Sequence, residues 1–263
     1  MTLDDTISRT MANLLGRAPG FDALVLTVSA SNLLKGAVLL AAASCFWLAP
    51  GAGFAMADRA RLVGNRAILA SALLASCLGE VIALALAKLA PFRLRPFLHE
   101  DLAMPVPQGL QDLAPRLMEQ SSFPSDHADL FFAMATGLWL VHRRAGWLAY
   151  AYVTVIIALP RLYLGLHFAT DLVVGGAIGV AVALAGVRLL ANRTLMQRLA
   201  ALTLERPAIA NPVLFLIAFQ IATMLGDLRD FADLAGRLSG LDNDGLRTAD
   251  ATVPPRGPQA LLP

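Results

Sequence analysis

Several apolar runs of bilayer length constrain this chain more than any other feature. A segment needs roughly 20 largely apolar residues to cross the hydrocarbon core of a membrane. Ala67 to Ala87, Ala128 to Val141 with its flanks, Trp147 to Leu159, Leu172 to Leu190 and Ile209 to Leu225 read as spans on that criterion. Leu33 to Leu48 is a sixth, with Asn32 and Lys35 at its start, where a long side chain reaches back toward the headgroups. Composition agrees: 57% of the 263 residues are hydrophobic, 15% are charged and the mean hydropathy is +0.63, more apolar material than one soluble core of this size hides. The expected fold is all-α, a polytopic helical bundle of about six transmembrane helices.

Three regions follow along the chain. In residues 1–32, Leu3, Ile7, Met11, Leu14 and Leu15 recur at near-helical spacing and predict an amphipathic helix lying in the membrane interface. The same stretch mixes Asp4, Asp5, Arg9 and Arg17 into its first turns, which argues against a cleavable signal peptide. Residues 33–226 carry the spans. Residues 227–263 are rich in Asp, Arg, Gly and Pro and are expected to form a polar tail, disordered for the most part beyond Leu241.

A formal net charge of +2, with no basic run and no aromatic-interleaved pattern, excludes nucleic acid as a partner. Cys45 and Cys77 lie in separate apolar segments without ligand spacing and read as small buried hydrophobes. The placement of charge says more than its total. Arg59, Arg61, Arg66, Arg143, Arg144 and the group from Arg188 to Arg206 fall at one set of span ends, which the positive-inside rule makes cytoplasmic. The long proline-bearing loop from Leu89 to Phe123 and the connection from Pro160 to Thr170 then face outward together.

Three clusters on that outward face could do chemistry. Lys88 and Arg95, followed by Pro96, place two cations at a span end, although snorkelling cations are ordinary there, and Arg93 fits that ordinary role. Ser125, Asp126 and His127 follow Pro124 at a helix entrance. The serine and aspartate are good caps, but a cap does not need the histidine, and the free N–H groups of a helix start also bind anions. Arg161, His167 and Asp171 close the set. If the chain is helical from His167, the histidine and Asp171 share a face, so the carboxylate accepts from one imidazole nitrogen and leaves the other free to attack; taken singly, Asp171 also reads as a cap or dipole partner of the next span and His167 as an interfacial structural histidine. Cations, two histidines, a serine and a carboxylate around one mouth make up what metal-free phosphoryl transfer requires. No compact ligand motif for a metal is present, and the cations would repel a divalent ion. Glu80, midway along a span, is a costly ionisable group and a functional candidate of unassigned role.

In these three clusters the chain resembles the membrane-bound type 2 phosphatidic acid phosphatases, whose soluble relatives include vanadium haloperoxidases. Lys88, six residues and Arg95-Pro96 match the first family motif; Pro124-Ser125-Asp126-His127 the second; and Arg161, five residues, His167, three residues and Asp171 the third. The resemblance covers about Lys88 to Gly179 and implies that the span-bearing residues 33–226 form a membrane phosphatase domain; no cofactor or metal is expected. It implies that His167 is the nucleophile, His127 the general acid and Asp171 the group orienting His167, with Lys88, Arg95, Arg161 and Ser125 binding phosphate. Asp126 replaces the usual glycine and Pro160 the usual serine. The Phe-Pro-Ser-Asp-His run is similar to the bacterial branch that dephosphorylates undecaprenyl diphosphate, which implies an inner-membrane enzyme facing the periplasm or cell exterior. Phosphatidylglycerophosphate, phosphatidic acid and lipid A phosphates stay open as substrates, as does a protein that binds or flips an anionic lipid without catalysis.

Overall fold

The computed structural model describes residues 2–48, 56–106, 108–111 and 114–223, and every regular element among them is helical. The tail expected from residue 227 onward and part of the basic segment before Arg59 lie outside the described residues.

Helix α1 (Leu3–Leu14) starts on a capping box: the Thr2 hydroxyl accepts from the Asp5 N–H and the Asp5 carboxylate accepts from the Thr2 N–H. Of its apolar set, Leu15 is buried and Met11 packs beside it. Asp4 and Ser8 face the protein, while Leu3 and Leu14 are exposed. Helix α2 (Pro19–Ala30) leads through a π-helical turn at Leu33–Ala37 into α3 (Val38–Leu48). Sequence alone assigned residues 19–32 to the interfacial segment, but α2 is apolar and pairs with the following helix as one candidate span bent by 65°. The bend has a local cause: Ser31 is extended, and its hydroxyl accepts from the Leu34 N–H to restart the helix.

Helix α4 (Met56–Leu89) contains Arg59, Arg61 and Arg66 near its start. Arg66 is buried and binds the Trp47 carbonyl at 2.9 Å and the Thr203 hydroxyl at 2.5 Å, so desolvation is offset by hydrogen bonds. Helix α5 (Asp126–Val141) and helix α6 (Arg143–Tyr163) are separated by His142 alone, whose Nδ1 caps the Ala145 N–H. Helices α7 (Ala169–Leu190), α8 (Thr194–Glu205) and α9 (Pro207–Ala222) follow.

By length and composition, α4, α6 and α7 are long and apolar enough to cross a membrane, and the bent α2–α3 pair makes up to four among the described residues, against the six expected. The other two apolar stretches form α5 and α9, of 16 residues each. In α5 the shortfall reflects its position. It begins with Asp126 and His127, carries Asp129, and sits in the centre of the bundle with Phe131, Leu130, Ala133, Ala135 and Leu138 at most 1% exposed.

Association of helices in lipid relies on close packing of small residues rather than on a hydrophobic driving force. Here Gly175 and Gly179, one turn apart on α7, let that helix lie directly on α5. A Cβ at Gly175 would collide with the Ser125 carbonyl oxygen, and one at Gly179 with the Asp129 carbonyl oxygen. Gly137 against Ala72 and Gly186 against Ala75 do the same for α4. The outer faces are apolar: Leu74, Leu78, Val81 and Leu84 form an exposed stripe along α4, as expected of a lipid-facing surface.

Direction along the bundle alternates, so α4 and α6 end, and α5 and α7 begin, on the same side. The loop between α4 and α5 folds over that side, with Phe97, Leu102 and Met104 packed on Leu15, Leu164 and Phe168. Gly165 adopts φ +67°, a conformation natural to glycine, and its carbonyl accepts from the Phe97 N–H at 3.0 Å, pinning the loop to the α6–α7 connection.

Candidate active site

The residues singled out in the sequence converge at this end of the bundle, each by a different local device. Arg161 lies on the last turn of α6, directly beyond the π-helical stretch Val153–Ala158. Pro160 has no N–H to return to the preceding turn, and the wide turn precedes it. The Arg161 side chain is 3% exposed and donates to the Ile157 carbonyl at 2.9 Å. Ser125 is the N-cap of α5, its hydroxyl accepting from the Ala128 N–H at 3.4 Å and its own N–H donating to the Asp171 carbonyl at 3.1 Å. Capping is therefore present, and the hydroxyl sits at the helix start where an anion would meet the free N–H groups.

His167 is buried in the connection before α7. Its Nδ1 lies 2.8 Å from the Ser122 carbonyl oxygen, which can only accept, so this nitrogen carries the proton and donates. Nε2 is then the nitrogen with the lone pair, 3.4 Å from Arg95 Nη1. The same guanidinium nitrogen donates to the Leu166 carbonyl at 2.9 Å, and Arg95 Nε is a buried donor without an acceptor among the described residues. His127, at the first turn of α5, is arranged in the same manner, its Nδ1 lying 2.8 Å from Asp126 Oδ1. The aspartate in place of glycine thus orients the second histidine. Asp126 also interacts electrostatically with Arg95, Arg161 and Lys35, balancing cations that would otherwise face one another.

Two expectations are corrected by this geometry. The Asp171 carboxylate does not hydrogen-bond His167: Oδ2 is 3.9 Å from Nδ1, beyond bonding distance. His167 precedes the helix instead of lying on it, and Asp171, at the third position of α7, reaches back to the Phe168 N–H at 2.8 Å. Arg93, read as an ordinary snorkelling cation, is instead bound to Asp171 and to Asp4, at 2.6 Å in both cases, and lies 3.9 Å over the Phe168 ring. Lys88 is exposed on the last turn of α4 and makes no hydrogen bond or ion pair among the described residues, unlike the buried set. Lys35, treated as a headgroup-seeking residue, lies within electrostatic reach of Arg161 and His127. Only its position at the start of an apolar run could have drawn attention to it.

A PAP2 superfamily family model matches residues 66–195, which hold Lys88, Arg95, Ser125, His127, Arg161, His167 and Asp171. This segment is a PAP2 superfamily domain. The bacitracin transport permease protein BcrC of Bacillus licheniformis is 36% identical over 64 residues, covering 24% of this chain. The matched stretch spans 31% of that relative, about a third of its length. No solved structure matches the chain. The PAP2 domain leaves out Asp4 and Lys35, which approach its site from α1 and from the turn before α3.

Burial, reinforced by the Arg95 cation and opposed by Asp126, pushes the His167 pKa in the PAP2 domain down to about 3, from an ordinary 6.5. The folded protein therefore keeps this imidazole neutral, while the unfolded chain takes up a proton as pH falls below 6.5. Stability contributed by this site is complete above that pH and is lost as pH falls through the window down to about 3. Thermal unfolding in detergent between pH 7 and 4.5 is expected to show a smaller acid-induced drop in Tm for His167→Gln than for the wild type. Equal drops would mean that His167 is not buried in its neutral form.

Proposed function

We propose that this chain is an integral-membrane phosphatase that hydrolyses a lipid phosphate or diphosphate through a covalent phosphohistidine at His167. The observation that carries this reading is the state of that side chain. It is a buried imidazole whose Nδ1–H is fixed on the Ser122 carbonyl and whose Nε2, the nitrogen with the lone pair, faces Arg95.

Nε2 attacks phosphorus in line and the bond from phosphorus to the leaving oxygen breaks; His127 enters this step protonated on both ring nitrogens, keeps its Nδ1–H on Asp126 and gives its Nε2 proton to that oxygen. Water then attacks the phosphohistidine, His127 takes up the water proton, and inorganic phosphate leaves with His167 neutral again. Arg95, with a buried unpaired N–H, and Arg161 stabilise the charge on the transferring oxygens; Ser125 and the start of α5 add donors, and Lys88 adds charge at the mouth. Asp171 acts on His167 through the Phe168 N–H and through its charge. Because Arg95, Arg161 and Lys35 surround the site, the reaction proceeds without a divalent cation.

Undecaprenyl diphosphate is the substrate we rank first. The Phe123-Pro124-Ser125-Asp126-His127 run and the likeness to a relative named for bacitracin transport support it. An apolar groove between α3, α4, α5 and α9, lined by Leu39, Leu73, Met134 and Phe215, is suited to a long apolar chain. The arginines at the opposite end of the bundle, among them Arg143, Arg144 and Arg188, orient the site away from the cytoplasm, toward the periplasm or cell exterior.

Phosphate release by purified protein from undecaprenyl diphosphate, phosphatidic acid and phosphatidylglycerophosphate, in detergent with EDTA, tests the reading. Release that survives EDTA and is fastest from the polyprenyl substrate is expected. A strict need for added metal would overturn the mechanism, and preference for a glycerolipid would overturn the choice of substrate.

A further inference from the structure

The PAP2 domain accounts for the arginines and histidines of the site but not for the buried acid that reaches it from the N-terminus. Asp4, 5% exposed on the first turn of α1, stands 166 residues from its partner Thr170. Its Oδ1 accepts from the Thr170 N–H at 3.1 Å, and its Oδ2 accepts from the Thr170 hydroxyl and, at 2.6 Å, from Arg93 Nη2. Burial pushes this carboxyl up, but the Thr170 and Arg93 hydrogen bonds outweigh it and leave the group more acidic than usual.

Arg93 carries that connection to the nucleophile by two routes. Its Nη1 donates to Asp171 at 2.6 Å and to the Thr170 hydroxyl at 2.8 Å, and its guanidinium lies over the ring of Phe168, the neighbour of His167. Its main-chain carbonyl accepts from the Ser122 N–H at 2.8 Å, and the Ser122 carbonyl is the acceptor that fixes the His167 tautomer. One side chain thus holds the residue after His167 while its backbone holds the residue that orients it.

We infer that Asp4 and Arg93 are positioning residues, a clamp through which the N-terminal helix fixes His167 in the orientation needed for attack. The catalytic consequence rests on the function proposed above, whereas the structural consequence does not. A nucleophile displaced by about 1 Å loses on the order of 100-fold in rate. The clamp is therefore expected to appear in kcat and not in substrate binding.

The test uses the full chain in detergent, with Asp4→Ala, Asp4→Asn, Arg93→Ala and the Asp4→Ala/Arg93→Ala pair. Hydrogen exchange over residues 166–172 is measured beside kcat, KM and the pH profile of phosphate release from farnesyl diphosphate and phosphatidic acid. Asp4→Ala is expected to lower kcat about 10- to 100-fold with KM within about twofold. It should also speed exchange in that segment, and the double variant should be scarcely worse than Arg93→Ala alone. Asp4→Asn, which keeps an acceptor for Thr170 but loses the charge facing Arg93, should fall between, and it replaces Asp4→Ala if that variant does not fold. Unchanged exchange over 166–172, or a kcat and pH profile equal to wild type at equal folded fraction, would overturn the clamp. If the wild type releases no phosphate from either probe, the proposed function fails, and the exchange measurement alone decides whether α1 holds this segment.

Discussion

Replacing His167 by alanine is expected to lower phosphate release by roughly four orders of magnitude or more, while the protein remains inserted and folded. The effect is this large because nothing nearby can take over the attack. His127 is committed to Asp126 through its Nδ1, and the side chain beside Nε2, Arg95, is a cation that cannot act as a nucleophile. The imidazole is small, and its one firm hydrogen bond is to the Ser122 carbonyl, which the Phe168 and Arg93 contacts leave in place. Thermal unfolding and detergent-solubilised yield serve as the controls for folding. Turnover within tenfold of wild type would remove His167 as nucleophile.

Loss of Arg95 comes second. Its guanidinium is buried, keeps one N–H unpaired among the described residues and stands 3.4 Å from His167 Nε2, which on the proposed mechanism aims it at where charge develops on the phosphoryl oxygens. Removing one preorganised donor of this kind costs about 10²- to 10³-fold in rate. Arg95→Ala is therefore expected to reduce kcat/KM by that amount, with kcat falling further than KM rises. Arg95→Lys restores charge without the planar fork and should recover only part of the loss. A change confined to KM would mean that Arg95 binds the ground state and transition state equally.

Much of the fold was legible because the signals are linear. Hydropathy located α4, α6, α7 and α9, and motif spacing at their ends brought Arg95, Ser125, His127, Arg161 and His167 to one side of the bundle once the direction of the helices alternated. The apolar run at α5, read as a span with its flanks, is a 16-residue helix at the centre of the bundle between α4, α6 and α7. The break between α2 and α3 was not legible in hydropathy, because one side-chain hydrogen bond at Ser31 sets it. Helical spacing suggested a bond between His167 and Asp171, yet a cap and an arginine claim the carboxylate first. Arg93 and Asp4 were illegible for a different reason: each looks like an ordinary interfacial charge, and their meaning lies in contacts 78 to 166 residues apart.

The central claim is the covalent bond between phosphorus and His167, and trapping it is the most direct measurement. Purified protein mixed with ³²P-labelled lipid diphosphate, or with unlabelled substrate for peptide mass analysis, is quenched in alkali within one turnover. The account predicts an acid-labile, alkali-stable phosphoryl group on the peptide containing His167, formed by the wild type, absent from His167→Ala and persisting longer in His127→Ala. Turnover at the wild-type rate with no phosphorylated protein at any quench time, or label on a residue other than His167, would contradict it.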